Sequence, residues 1–191
     1  ADMVFTDPPY GVDYKTIRKS GLEKIQNDDL KGIELENFIR GFWVILKENC
    51  KGNKYICCDW KTLRNFQNVI DEKIGSVIVW NKKTSSHNFV NWNPVYELII
   101  YVGSNKKKDH HCEYNVWECS REFRDDHPTP KPVEIICKPI ERDLVKGQIV
   151  LDLFLGSGST LIACEKTKRK CYGMEIDPHY CDVIVKRWED Y

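Results

Sequence analysis

The stretch TDPPYG, residues 6–11, brings a carboxylate, a rigid elbow and an aromatic ring together in Asp7, Pro8, Pro9 and Tyr10. Two consecutive prolines exclude a helix and stiffen the backbone, and the preceding MVF reads as a buried strand. An exocyclic amine on a nucleobase is a poor nucleophile because its lone pair is delocalised into the ring. Acceptors aimed at its two protons favour the pyramidal form that develops in the transition state. The Asp7 carboxylate and the Pro8 carbonyl are two such acceptors, and Tyr10 is the residue to stack on the base. No covalent nucleophile is required.

A second group lies near the other end. VLDLFLGSGSTLIACEKTKRKCYGMEID, from Val150, reads strand, glycine-rich turn, helix, strand, acid. Gly156 and Gly158 let a backbone approach a ligand closely, and Glu175, 19 residues after Gly156, ends the next strand where it can grip ribose hydroxyls. A tight turn with a buried carboxylate is the alternative. The third glycine of the dinucleotide fingerprint is Leu161 here, which disfavours a pyrophosphate and hence NAD. An adenosine without phosphates fits better, and S-adenosylmethionine, with its methyl on an electrophilic sulfonium, meets that description.

The elements that must position these groups follow from periodicity. Leu35, Phe38, Ile39, Phe42, Trp43 and Leu46 have the i, i+3, i+4 rhythm of a core-facing helix ending near Gly52. KYICC, SVIVWNK and YELIIYVG read as strands, and WKTLRNFQNVIDEK between them as a second amphipathic helix. After Pro132 comes PVEIICKPIERDLV as a helix, then strand QIVLDLF, helix STLIACEKTK, strand KCYGMEI and a closing helix from Pro178, with Asp177 as its cap. This alternation predicts an α/β doubly wound sheet. Residues 10–33 are polar and aperiodic and read as a long mobile loop; residues 103–131 read as a surface excursion.

At 191 residues the chain fits one domain with a full core. Lys plus Arg equals Asp plus Glu at 29 each, so an anionic partner must be met by local patches. Lys15 and Arg18, Lys82 and Lys83, and Lys106, Lys107 and Lys108 are such patches, suited to phosphates; KTKRK at 166–170 reads as a solvated run. Trp92 and Trp117 read as packing residues. No stretch approaches the length of a membrane span and no secretory pattern opens the chain, so the expectation is a soluble, cytoplasmic protein without a membrane partner. Nine cysteines without regular spacing, Cys57, Cys58, Cys137 and Cys164 among them in apolar patterns, read as reduced core thiols. HHCEYNVWEC holds His110, His111, Cys112 and Cys119 but matches no common zinc spacing, so no metal is expected.

Together TDPPYG, HPTPKPVEI, LDLFLGSGST and GMEIDPHYCDVIVKRW, in that order over most of the chain, resemble the amino-group DNA methyltransferases of the permuted β class. The resemblance implies a mostly parallel, seven-stranded Rossmann-like methyltransferase sheet with an antiparallel strand. It divides one methyltransferase domain into a catalytic half at 1–103, a short target-recognition loop at 104–126 and a cofactor half at 127–191. It implies that Phe154, Gly156, Ser157, Gly158, Ser159 and Thr160 surround S-adenosylmethionine, with Asp7 nearby, that Glu175 holds its ribose and that Asp152 shapes the turn. His127, Thr129 and Lys131 then lie at its carboxylate side.

The same resemblance implies double-stranded DNA as substrate, with the target base flipped out and stacked on Tyr10. Asp rather than Ser before the two prolines favours adenine N6 over cytosine N4. A restriction endonuclease or a larger parent protein is the implied partner, and a non-catalytic DNA-binding module is the alternative of another class. Members usually carry a further acidic or amide contact to the cofactor ahead of the first strand, where only Ala1 and Asp2 stand, so an upstream part is expected.

Overall fold

The computed structural model describes residues 1–11, 26–84, 92–103, 113–121 and 130–191, and the backbone alone of 15–18 and 21–24. His127, Thr129 and Lys106 to Lys108 lie outside these residues, as do His110, His111 and Cys112, and only the backbone of Lys15 and Arg18 is described.

β1 (Met3–Thr6) is buried at all four positions because helices cover both faces of the sheet there. Its neighbours are β4 (Asn53–Cys58) on one side and β8 (Ile149–Asp152) on the other, both parallel. Beyond β8 comes β9 (Lys170–Gly173), also parallel. Beyond β4 come β6 (Tyr96–Val102), β5 (Ile74–Asn81) and β7 (Val116–Glu118), giving the order β7-β5-β6-β4-β1-β8-β9. Only β6 runs against its neighbours, antiparallel to both β4 and β5, while β7 pairs with β5 in parallel. The expected seven-stranded, mostly parallel sheet with one reversed strand is therefore present.

Period-two alternation sends the strands' apolar residues to opposite faces. Met3, Phe5, Tyr55, Cys57, Ile78, Trp80, Ile99 and Tyr101 meet α3 (Val133–Asp143) and α4 (Ser159–Thr167). Val4, Ile56, Cys58, Leu98, Ile100 and Val102 meet α1 (Gly32–Asn49) and α2 (Leu63–Val69). On α1 the buried residues are Leu35, Ile39, Phe42, Trp43 and Leu46, the stripe the rhythm indicated, each contributing roughly 1.5–3 kcal/mol of burial. α5 (Pro178–Glu189) closes the chain; Asp177 accepts from the His179 amide at 2.9 Å, and Pro178 fills the first turn, where no N–H partner is needed. Cys57, Cys58, Cys137 and Cys164 are buried thiols.

Two expectations need correction. Residues 10–33 are not loop throughout: β2 (Lys15–Arg18) and β3 (Gly21–Lys24) form a separate antiparallel pair. The excursion at 103–131 contributes β7, whose Trp117 is buried in the core. No helix among the described residues is long and apolar enough to cross a membrane.

Candidate active site

β1 and β8 lie side by side but their connections part company. From β1 the chain crosses through α1 to β4, and from β8 it crosses through α4, on the opposite face, to β9. At such a reversal the loops leaving the two carboxyl ends open a crevice, the usual ligand position in an open α/β sheet. The elbow Asp7–Tyr10 follows β1 and the turn 153–158 follows β8, so the two leave neighbouring carboxyl ends at this reversal.

Asp152 joins the two sides. Its Oδ1 accepts from Thr6 Oγ1 at 2.7 Å and from the Phe154 amide at 3.0 Å, and its Oδ2 accepts from Thr160 Oγ1 at 2.6 Å. Burial pushes its carboxyl up to about 6 despite these bonds, which favour the charged form. Asp152 is thus a clasp inside the protein.

Asp7 has two unlike oxygens. Oδ2 is 2.8 Å from Lys131 Nζ; Oδ1 is enclosed by protein yet has no hydrogen-bond partner among the described residues. The side chain as a whole remains 28% exposed, although Oδ1 itself is enclosed. Burial raises its pKa; the Lys131 ammonium opposes this and the Glu97 carboxylate adds to it. Lys131, 9% exposed, is in turn 2.8 Å from Glu97 Oε2 and lies over the Trp80 ring at 5.8 Å. Pro8 is buried and Tyr10 half-buried, packed toward the α1 side, with burial holding its hydroxyl well above the usual range and so protonated.

In the turn, Gly156 (φ 54°) and Gly158 (φ 84°) adopt left-handed backbone that side chains resist. A Cβ on Gly158 would also lie 3.2 Å from the Ile184 side chain of α5. Glu175 is half-buried and caps this turn: its Oε2 accepts from the Gly156 amide at 2.7 Å and its Oε1 from the amides of Ile176 and Asp177, each at 2.9 Å. Oε2, with one amide, keeps lone-pair capacity for a ribose hydroxyl, whereas Oε1 is filled by its two amides. Phe154 stacks edge-on against Phe42 at 5.5 Å and tilts against Phe38 at 5.9 Å. The Ser159 and Thr160 hydroxyls are spent inside the protein, on Arg187 and Asp152, so what these residues offer a ligand is backbone at the start of α4.

Three residues the motifs did not single out belong here. Glu97 is an acid in the otherwise apolar β6, in phase with Ile99 and Tyr101, a signal legible in the alternation. Trp80, in phase with Ile78, is the ring beneath Lys131. Buried Arg187 donates to the Ser157 carbonyl at 3.0 Å and to Ser159 Oγ at 3.1 Å, bracing the turn from α5; it stands three residues after Ile184, on the same helical face.

The expected phosphate patch at Lys82 and Lys83 divides. Lys82 is buried, 3.0 Å from Glu97 Oε1 and over Trp80, and cannot present its charge to a backbone phosphate. Lys83 is 52% exposed and pairs with Glu118 at the surface. Within KTKRK, Arg169 is tied to the Leu144 and Thr167 carbonyls rather than solvated. Trp117 packs as expected, whereas Trp92 is 91% exposed among the described residues.

Comparison with known proteins adds to this geometry. The N6_N4_Mtase family model, described as DNA methylase, matches residues 1–186. The type II methyltransferase M2.DpnII of Streptococcus pneumoniae is 27% identical over 98% of this chain and 82% of its own. M2.LlaDCHI of Lactococcus lactis subsp. cremoris is 24% identical over 97% of this chain and 81% of its own. The structure of the PvuII DNA methyltransferase (cytosine-N4-specific) matches with a TM-score of 0.76 at 15% identity, covering 98% of this chain and 79% of that one. The M1.HpyAVI–SAM complex matches with a TM-score of 0.69 at 22% identity, covering 97% and 88%. At these identities the structural likeness establishes the fold.

Proposed function

The chain belongs to the DNA methylase family of N6/N4 amino-methyltransferases, and we propose that it methylates the exocyclic amine of a flipped adenine in double-stranded DNA, using S-adenosylmethionine. The observation that carries this reading is the unpartnered, enclosed Oδ1 of Asp7 at the tip of β1, on the rim it shares with the glycine turn after β8. An acceptor kept vacant inside protein is costly unless a donor arrives to fill it. The target's N–H is such a donor.

The residues present fit the cofactor. Glu175 is the group to hold its ribose, the backbone at 156–160 to surround its methionine part and Phe154 to wall the pocket. The cofactor supplies a methyl on positively charged sulfur: the amine lone pair forms the N–C bond while the C–S pair returns to sulfur. Asp7 Oδ1 and the Pro8 carbonyl hold the two amine hydrogens, drawing the lone pair out of the ring. As nitrogen becomes positive, the Asp7 charge stabilises it, and one N–H proton then leaves to solvent. Tyr10 stacks on the extruded base, worth roughly 1–3 kcal/mol against the cost of flipping. Of the Lys82–Lys83 patch, Lys83, exposed beside Glu118, is the residue to meet a phosphate.

The test is transfer of labelled methyl from S-adenosylmethionine to duplex DNA, followed by nucleoside analysis. N6-methyladenine is expected. N4-methylcytosine would move the specificity to the other amine, and no methylated base on any duplex would overturn the reading. The type II relatives support a restriction nuclease as the functional partner, checked by whether DNA methylated by this protein resists a cognate nuclease.

A further inference from the structure

We infer that Glu97, acting through Lys131, is a positioning residue for Asp7, and that the buried chain Lys82–Glu97–Lys131–Asp7 keeps one oxygen of the reactive carboxylate engaged and the other vacant. The inference rests on the methyl-transfer reading and assigns to that site a residue outside its motifs.

The geometry is a row of alternating charges: 3.0 Å from Lys82 to Glu97, 2.8 Å from Glu97 to Lys131 and 2.8 Å from Lys131 to Asp7. Two cations and two anions balance, as burial demands. The row is anchored at Glu97, because β6 is paired on both sides and Glu97 stands directly opposite Trp80 in the β5–β6 register. Lys131 precedes α3 without lying on the sheet, so its ammonium is placed by what it touches: Asp7, Glu97 and the Trp80 ring. A lone Lys–Asp pair would satisfy Lys131 without Glu97. A second acid on the far side draws the ammonium back and prevents it from bridging both oxygens of Asp7. The described groups that interact with Asp7 from the surrounding elements are Lys131 before α3, Glu97 on β6, Cys57 and Cys58 on β4, Asp152 on β8, Asp28 before α1 and Tyr10 on its own loop. Lys131 is the sole cation among these.

Glu97→Gln therefore lets Lys131 settle onto Asp7 and removes a repelling charge, while Lys131→Met takes the cation from Asp7 and leaves Glu97 held by Lys82 alone. The expected result is a kcat reduced roughly 10- to 100-fold in both variants, with the cofactor affinity of Glu97→Gln within a few-fold of wild type. The acid limbs of kcat against pH should move in opposite directions: to lower pH for Glu97→Gln and to higher pH for Lys131→Met. Glu97→Asp should recover part of the rate. Lys54→Gln, which breaks the buried Lys54–Glu72 pair at 3.0 Å elsewhere, is the stability control and should move neither limb. Titration of the Asp7 carboxyl by 13C NMR reads the same opposed shifts without turnover, and Lys131→Gln replaces Lys131→Met should the latter not fold. Limbs or titrations unmoved, or moved in the same direction, overturn the inference. An inactive wild type whose Asp7 still shows the opposed shifts would count against methyl transfer and leave the positioning intact.

Discussion

Thr6 Oγ1 donates to Asp152 Oδ1 across 2.7 Å, joining residues 146 apart in the chain and fastening the strand that bears the elbow to the strand that bears the glycine turn. That buried bond adds to the β1–β8 ladder in holding the elbow and the glycine turn side by side.

Asp152→Ala strands the donors of Thr6, Phe154 and Thr160, and should lower stability by about 3 kcal/mol. Asp152→Asn keeps an acceptor for Thr6 and Phe154 and a donor for Thr160. Its signature is pH dependence. The folded carboxyl titrates at about 6, above its usual 3.8, so the stability it permits is complete below about pH 3.8 and lost as pH rises through 6. Asp152→Asn should gain on wild type by up to about 3 kcal/mol between pH 4 and 7; paired thermal melts across that range check it.

Asp7→Ala removes the vacant acceptor and should cut the single-turnover rate roughly 10²- to 10³-fold, the usual cost of one electrostatic contact to a transition state. Cofactor affinity should fall far less. Rapid-quench transfer alongside equilibrium dialysis separates the two.

Tyr10→Phe preserves the ring and should leave DNA affinity near wild type, whereas Tyr10→Ala should weaken it by about 5- to 150-fold, the equivalent of 1–3 kcal/mol of stacking. Fluorescence titration with a duplex carrying 2-aminopurine at the target should lose its base-flipping signal in Tyr10→Ala alone.

Gly158→Ala imposes a side chain at φ 84° and 3.2 Å from Ile184. The left-handed backbone alone costs about 1–2 kcal/mol, so the melting temperature should fall by about 2–8 °C and cofactor binding should weaken. Adding Ile184→Ala removes both γ carbons that crowd the new Cβ and should recover part of the loss in cofactor binding, while the backbone component persists.

Lys83→Ala should reduce the slope of log affinity for DNA against log salt by about one. Lys82→Ala should leave that slope unchanged and lower the melting temperature instead, because its charge faces Glu97 and not solvent. Filter binding at several salt concentrations decides between the two roles.

Sequence alone carried the central layers. A helix such as α1 exposes its period over eighteen residues, β1 and β4 announce themselves by continuous apolar runs, and Asp177 before Pro178 is a cap by local chemistry. The elbow and the glycine turn were legible because their backbone demands require proline and glycine. β2 and β3 were not, since KTIR and GLEK carry one apolar residue each and show no alternation. β7 is three residues long, too short for any period. WKTLRNFQNVIDEK gave a longer helix than Leu63–Val69 because its ends are claimed otherwise: Asp59 Oδ1 turns the chain through the Lys61 amide, and Asp71 is taken by Trp43 and Lys47. Lys82 was read outward because its partner arrives from another strand, and strand register is invisible to local composition.

That register carries one more implication. Trp80 and Glu97 face each other in the β5–β6 ladder, and Lys82 follows two residues along on the same side. Slipping one strand by a single residue would swing its polar members to the opposite face and strand the charges left behind among hydrocarbon neighbours. Misaligned pairings are therefore penalised electrostatically, and the strand pair proofreads its own alignment with the row of charges that reaches Asp7.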